Sequence, residues 1–122
     1  MDSYTIGKML GWVSVAALAI LLLNFVTVKI IKKPKFLRKI TSALHAPAAV
    51  TLVVAAVIHS YLVWGNLRIH TGHILFLGII ATAAASILGK KYKFKKWLPI
   101  HIYLAFATLA LFFVHYFFPY LV

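Results

Sequence analysis

Apolar and charged residues follow one another along this chain in long blocks, not in the short periods of a soluble helix or strand. With the charges as punctuation, four apolar blocks emerge, at about 9–28, 43–64, 73–88 and 97–118. The third is short and borrows Thr71 and Gly72, and the fourth is closed by Pro119. A bilayer core of about 30 Å is crossed by around 20 helical residues. A helix satisfies its own backbone hydrogen bonds in lipid, where no water is present to do so. The pattern therefore predicts an all-α integral membrane protein: one four-helix bundle of up-down topology over residues 1–122. A loose internal duplication runs through it, since the second and fourth blocks each carry two histidines at the same interval.

Composition agrees. Of the 122 residues, 64% are hydrophobic and only 11% charged, with a mean hydropathy of +0.99, well above the usual apolar share of a soluble domain. Cysteine is absent, which excludes thiolate metal sites, iron–sulfur clusters and disulfides within the chain. Any electron chemistry needs an added cofactor.

The net charge is +12, from 13 Lys and Arg against the single acid Asp2. On a soluble protein this excess points to nucleic acid. Here it falls in two runs between apolar blocks, KIIKKPKFLRK (Lys29 to Lys39, six cations) and KKYKFKK (Lys90 to Lys96, five). Between the second and third blocks, GNLRIHTG (Gly65 to Gly72) has only Arg68. The positive-inside bias puts both basic loops in the cytoplasm and both termini outside a cell membrane crossed several times, with lipid and not nucleic acid as its surroundings. The same loops suit an acidic partner. An almost uncharged start argues against a cleaved signal peptide.

The chemistry rests on histidines. His45 and His59 lie fourteen residues apart in the second block, as do His101 and His115 in the fourth. Fourteen helical residues advance about 21 Å and fall about 40° short of four full turns, so each pair shares one face near opposite ends of its helix. In an up-down bundle the second and fourth helices run parallel, which sets His45 level with His101 and His59 level with His115. Two facing imidazoles hold a haem iron axially when the bundle core admits the porphyrin. The stripes between the histidines are small or slim: Ala48, Ala49, Leu52, Ala55 and Ala56 on one helix, Leu104, Ala105, Thr108, Leu111 and Phe112 on the other. Gly78 to Ser86 of the third helix adds more small side chains. Small residues also serve close helix packing, but ionisable groups inside a membrane are costly and mark function. Two haems are expected.

Three stretches, LHAPAAVTLVVAAVIH (Leu44 to His59), TGHILFLGIIATAAASILGKK (Thr71 to Lys91) and KKWLPIHIYLAFATLALFFVH (Lys95 to His115), resemble the haem-bearing core of the ferric reductase-like transmembrane domain. Trp97, His101, Tyr103 and His115 fit that family's Trp, His, Tyr and distal His pattern. The resemblance implies two haem b groups, ligated by His45 with His101 (inner) and His59 with His115 (outer), and electron transfer across the membrane. It also implies an outward terminus before the first helix. The family usually has six helices, whereas this chain shows four and no flavin or nicotinamide domain. The donor is then a separate cytoplasmic flavoprotein or iron–sulfur reductase, and the recipient an outer-side electron acceptor or a quinone.

Lesser candidates surround this core. Arg68 is placed to meet outer haem propionates, and Arg38, Lys39, Lys95 and Lys96 inner ones; snorkelling to lipid phosphates is the alternative for each. His70 and His73 suggest an acceptor site, a proton relay or a propionate contact, against interfacial histidines in a wet loop. Tyr61, Trp64, Tyr92, Trp97, Tyr116 and Tyr120 read as an aromatic belt, and Asn24 as a packing hydrogen bond. The expected function is a diheme b-type cytochrome membrane subunit of an oxidoreductase complex, with a quinone-linked cytochrome b anchor as the alternative. A small four-helix transporter is disfavoured because no apolar block carries Asp or Glu. A haem-free scaffold subunit is the remaining rival.

Overall fold

The computed structural model describes residues 1–64 and 69–121. Its regular elements are α1 (Ser3–Phe25), continued by a π-helical turn (Val26–Ile31), then α2 (Lys35–Trp64), α3 (Thr71–Lys91) and α4 (Trp97–Phe117). All four helices are long and apolar enough to cross a membrane, so their outward side chains meet lipid. Two compact units result, Met1–Gly65 and Asn66–Val122. The first is a hairpin of α1 on α2, the second a hairpin of α3 on α4.

In the first hairpin Asp2 caps α1, its carboxylate accepting from the Thr5 N–H at 2.8 Å. Hydrogen bonds from the Thr5 side chain, then from its backbone, hold the Asp2 carboxyl below the usual carboxylate range. The helix does not end where hydropathy falls. It runs on through the π turn to Ile31, and the Lys32 N–H closes on the Thr27 carbonyl at 3.0 Å with Lys32 left-handed at φ 62°. Lys and Arg are good helix formers, so a basic run does not break a helix. Pro34 does, by lacking an N–H and by disfavouring α geometry in the residue before it. The connection expected over 29–39 therefore contracts to 32–34, and α2 starts at Lys35 where 43 was expected.

The chain then returns antiparallel. Near the turn, the buried hydroxyls of Thr27 and Thr41 meet at 2.6 Å. At the far end Gly7 lies under Val63, where an added Cβ would come within 2.7 Å of Val63 Cγ2. Between these contacts α2 presents Thr41, His45, Ala48, Leu52, Ala55 and His59, alternating steps of four and three residues. That is the spacing of a helix seam. Thr41, Ala48, Leu52 and Ala55 on it are buried.

The second hairpin is built on the same seam with different parts. The turn after α3 is a Schellman closure: the Phe94 N–H donates to the Gly89 carbonyl at 2.9 Å, and the Lys93 N–H to the Lys90 carbonyl at 3.3 Å. Lys93 occupies the left-handed position, φ 53°, that glycine usually takes. Trp97 opens α4 and packs directly on Gly89, which leaves no room for a side chain there. Farther along, the hydroxyls of Thr82 and Thr108 meet at 3.0 Å. The α4 seam reads Trp97, His101, Leu104, Thr108, Leu111 and His115, the same steps as α2.

Candidate functional site

Each of the four candidate ligands turns its Nδ1 toward the other helix of its own hairpin. His59 Nδ1 lies 2.7 Å from the Gly7 carbonyl, and His101 Nδ1 lies 2.8 Å from the Thr82 carbonyl. His115 Nδ1 is 3.0 Å from Thr71 Oγ1, and His45 Nδ1 is 3.2 Å from Asn24 Nδ2. The expectation that each pair shares a face therefore holds within the hairpins. His45 and His59 both address α1; His101 and His115 both address α3.

These partners decide where the proton sits. A carbonyl only accepts, so His59 and His101 must donate from Nδ1, and in the neutral ring the lone pair is then on Nε2. Thr71 Oγ1 also reaches the Pro119 and Phe118 carbonyls, at 3.1 and 3.4 Å, so its hydroxyl can either accept from His115 Nδ1 or donate to it. A metal-bound histidine commonly has its second ring nitrogen anchored in this way, which fixes the tautomer and the ring direction. Glycines make two of the anchors possible: an added Cβ at Gly11 would lie 3.0 Å from His59 Cε1, and at Gly72 3.0 Å from His115 Cε1.

No protein-family model, curated protein or solved structure matches the chain. The site therefore has to be judged on its own chemistry. Among the described residues no three His, Cys, Asp or Glu side chains converge on one point. Haem would ask the protein for imidazole ligands, and the anchored histidines are side chains of that type.

The small-residue stripes need revision. Ala48, Leu52 and Ala55 are buried on the α2 seam, and Thr108 is bonded to Thr82 on the α4 seam. These positions serve close packing between helices. Ala49, Ala56 and Ala105, one step off the seams, are half-buried.

The remaining candidates are scattered. Arg68 lies outside the described residues. Lys39 is exposed on α2, and Lys96 is exposed at the start of α4. Lys95 and Lys96 line a groove together with Ala81, Ala84, Ala85 and Leu88. His70 is buried, not in a wet loop: it precedes α3, and its N–H donates to His73 Nδ1 at 3.2 Å. The two histidines thus help start a helix. Trp97 is more than a belt residue, since it packs on Gly89, receives Lys90 Nζ at 5.2 Å from its ring and lies 6.4 Å from the His101 ring. Tyr61, Tyr92, Tyr116 and Tyr120 are exposed.

Proposed function

We propose that the chain is a diheme b-type cytochrome membrane subunit, ferric reductase-like, that carries electrons across a cell membrane. The observation that carries this reading is the anchoring of all four histidines through Nδ1, at one repeated interval on two helices, with His59 and His101 donating to backbone carbonyls and so carrying the lone pair on Nε2. In this reading the four helices form an up-down bundle with both termini outside. His45 with His101 holds the inner group, and His59 with His115 the outer. Haem b, if held by these four histidines, would supply a one-electron couple. The protein's part is to fix four imidazoles by backbone and side-chain contacts, and to keep lipid and water from the iron. The donor is a cytoplasmic flavoprotein or iron–sulfur reductase, and the acceptor an outer-side molecule or a quinone. Lys39, Lys96 and Arg68 are propionate partners in this scheme.

The test is stoichiometric. Purified from cells supplied with haem, the chain should carry about two b haems, both extracted by acid-acetone because no C-x-x-C-H attachment motif is present. His59→Ala and His115→Ala should remove the same haem, and His45→Ala and His101→Ala the other. One haem per chain, or none, would refute the reading. Orientation is tested separately by labelling Lys35→Cys and Arg68→Cys from outside intact cells. Position 68 should label and position 35 should not.

A further inference from the structure

Where α3 gives way to α4, the second hairpin carries an open groove of about 960 Å³. Ala81, Ala84, Ala85 and Leu88 line it from α3, and Trp97 and Ile100 from α4. Lys93, Lys95 and Lys96 line it at the turn. Ala81 lies ten residues before Lys91, the last residue of α3, which is about 15 Å of helix. A bilayer core is about 30 Å thick, so the groove is as deep as one leaflet.

Its walls are fixed in advance. The Tyr92 N–H donates to the Leu88 carbonyl at 2.9 Å and the Trp97 N–H to the Phe94 carbonyl at 3.2 Å. Together with the Schellman closure, these bonds make the basic stretch a run of closed turns and not a loose loop. Trp97 is seated on Gly89. A ligand entering here has little ordering of the protein to offset.

The charges are placed less comfortably. Lys90 and Lys91 end α3, where cations suit the helix dipole, and their Nζ atoms lie over the rings of Trp97 and Tyr92. Lys95 and Lys96 stand at the start of α4, where the dipole is also positive and like charges repel. Lys96 is the N-cap, makes no capping hydrogen bond with its side chain, and is followed by no acid in the first turn. The one acidic side chain of the protein, Asp2, caps α1 in the other hairpin. An anion that offsets these lysines must come from outside the chain, and a phosphate suits a helix start. The positive-inside bias accounts for lysines at a turn, but not for an alanine-lined groove beside them. An acidic protein would meet the lysines and leave that groove unused. An anionic amphiphile uses both.

We propose that this groove holds one acidic phospholipid, its phosphate meeting Lys93, Lys95 and the start of α4, and an acyl chain lying along Ala81, Ala84 and Ala85. Basic pockets beside membrane helices bind acidic headgroups in this way. The site goes beyond the haem reading and stands without it.

The test uses the full chain in phosphatidylcholine nanodiscs containing a trace of phosphatidylglycerol with a photoactivatable diazirine on its acyl chain. After illumination, mass spectrometry of peptides should find adducts on the 81–88 and 97–100 segments. Phosphatidylcholine carrying the same diazirine should label them far less. Lys93→Gln and Lys95→Gln should each cut that preference about fivefold, the worth of one lysine beside an anionic lipid. Lys96 is left intact, because the haem reading uses it. Ala81→Phe fills the groove from an exposed position and should reduce labelling by the acidic lipid to the phosphatidylcholine level, with every lysine still present. Lys33→Gln, in the other basic turn, should change nothing. Equal labelling by the two lipids would overturn the proposal, as would equal losses from Lys33→Gln and Lys93→Gln, which would show diffuse surface charge. An Ala81→Phe variant that labels like the wild type would reject the groove. Displacement of the lipid by inorganic phosphate or by polyglutamate would assign the lysines to a soluble anion or an acidic protein instead.

Discussion

The two hairpins hold their histidines at the same seam positions but hold themselves together differently. In the first, polar side chains meet across the helices: Thr27 with Thr41, and Asn24 with His45 and Ser42. In the second, the end nearest the turn is closed by shape, with Trp97 seated on Gly89, and Thr82 meets Thr108 farther along. Both nevertheless present two imidazoles to the neighbouring helix at an interval of fourteen residues. What the hairpins share is thus the register and not the contacts that produce it. Register is fixed by where the chain turns, and each hairpin then uses whatever side chains fall along its seam.

The largest test of this difference is at the glycines. Gly89→Ala should cost about 1–3 kcal/mol, because overpacking forces rigid groups apart and the obstacle is the root of the Trp97 side chain. Gly7→Ala should cost less, since its nearest obstacle is a methyl of Val63 at 2.7 Å, whereas at Gly89 it is the closer Cβ of Trp97. Denaturant titration in micelles, followed by circular dichroism, ranks the two; a reversed order would contradict the picture of a shape-closed second hairpin.

Next come the turns. Lys32 and Lys93 both sit at positive φ, a geometry that costs side-chain-bearing residues roughly 1–2 kcal/mol. Lys93→Gly and Lys32→Gly should each stabilise by about 0.5–1 kcal/mol after allowing for glycine's greater freedom in the unfolded chain. Similar gains at both sites would mean that the π turn and the Schellman turn place the same demand on one residue.

Smaller again are the hydroxyl pairs. Interhelical hydrogen bonds in membranes average about 0.6 kcal/mol. Thr27→Val should exceed Thr82→Val within that range, because the first pair is closer at 2.6 Å and buried on both sides. Double-mutant cycles with Thr41→Val and Thr108→Val would isolate each pair.

The smallest effect is at Asp2. Its folded carboxyl titrates below the ordinary value, so its stabilising contribution is present above the unfolded value and is lost as pH falls through the folded one. Amide exchange at Thr5 and Ile6 should therefore quicken only in acid below about pH 3.9. Asp2→Asn should remove that pH dependence.

Much of this architecture was legible in the sequence. Apolar blocks located the four spans because lipid selects composition over some twenty residues at a time. The histidine interval survived because helical geometry is rigid. The helix ends were misjudged for a related reason: hydropathy reports where lipid stops, whereas a helix of lysines continues until Pro34. That error hid Asn24. Once the turn is placed at 32–34, Thr27 and Thr41 lie seven residues on either side of Pro34, and Asn24 and His45 lie ten before it and eleven after. The partner was readable by counting outward from the proline. In the same way Gly89 and Trp97 flank Lys93 by four residues, and Thr71 and His115 flank it by twenty-two. The π turn had no such signature, since it arises only when the helices pack.

The unequal lengths of the hairpins bear on which membrane the protein suits. The spans of α1 with its π turn and of α2 are 29 residues each, about 43 Å of helix. Those of α3 and α4 are 21 residues each, about 31 Å, close to a single hydrocarbon thickness. A thicker bilayer strains the second hairpin first, at fractions of a kcal/mol per Å. Relief is at hand near the turn, through Lys90, Lys91, Lys95 and Lys96, whose stems can reach outward while their charges stay in water. The first hairpin has helix to spare and absorbs the same change by sliding or tilting. Thickness sensitivity is therefore concentrated in α3 and α4, and so in the setting of His101 and His115.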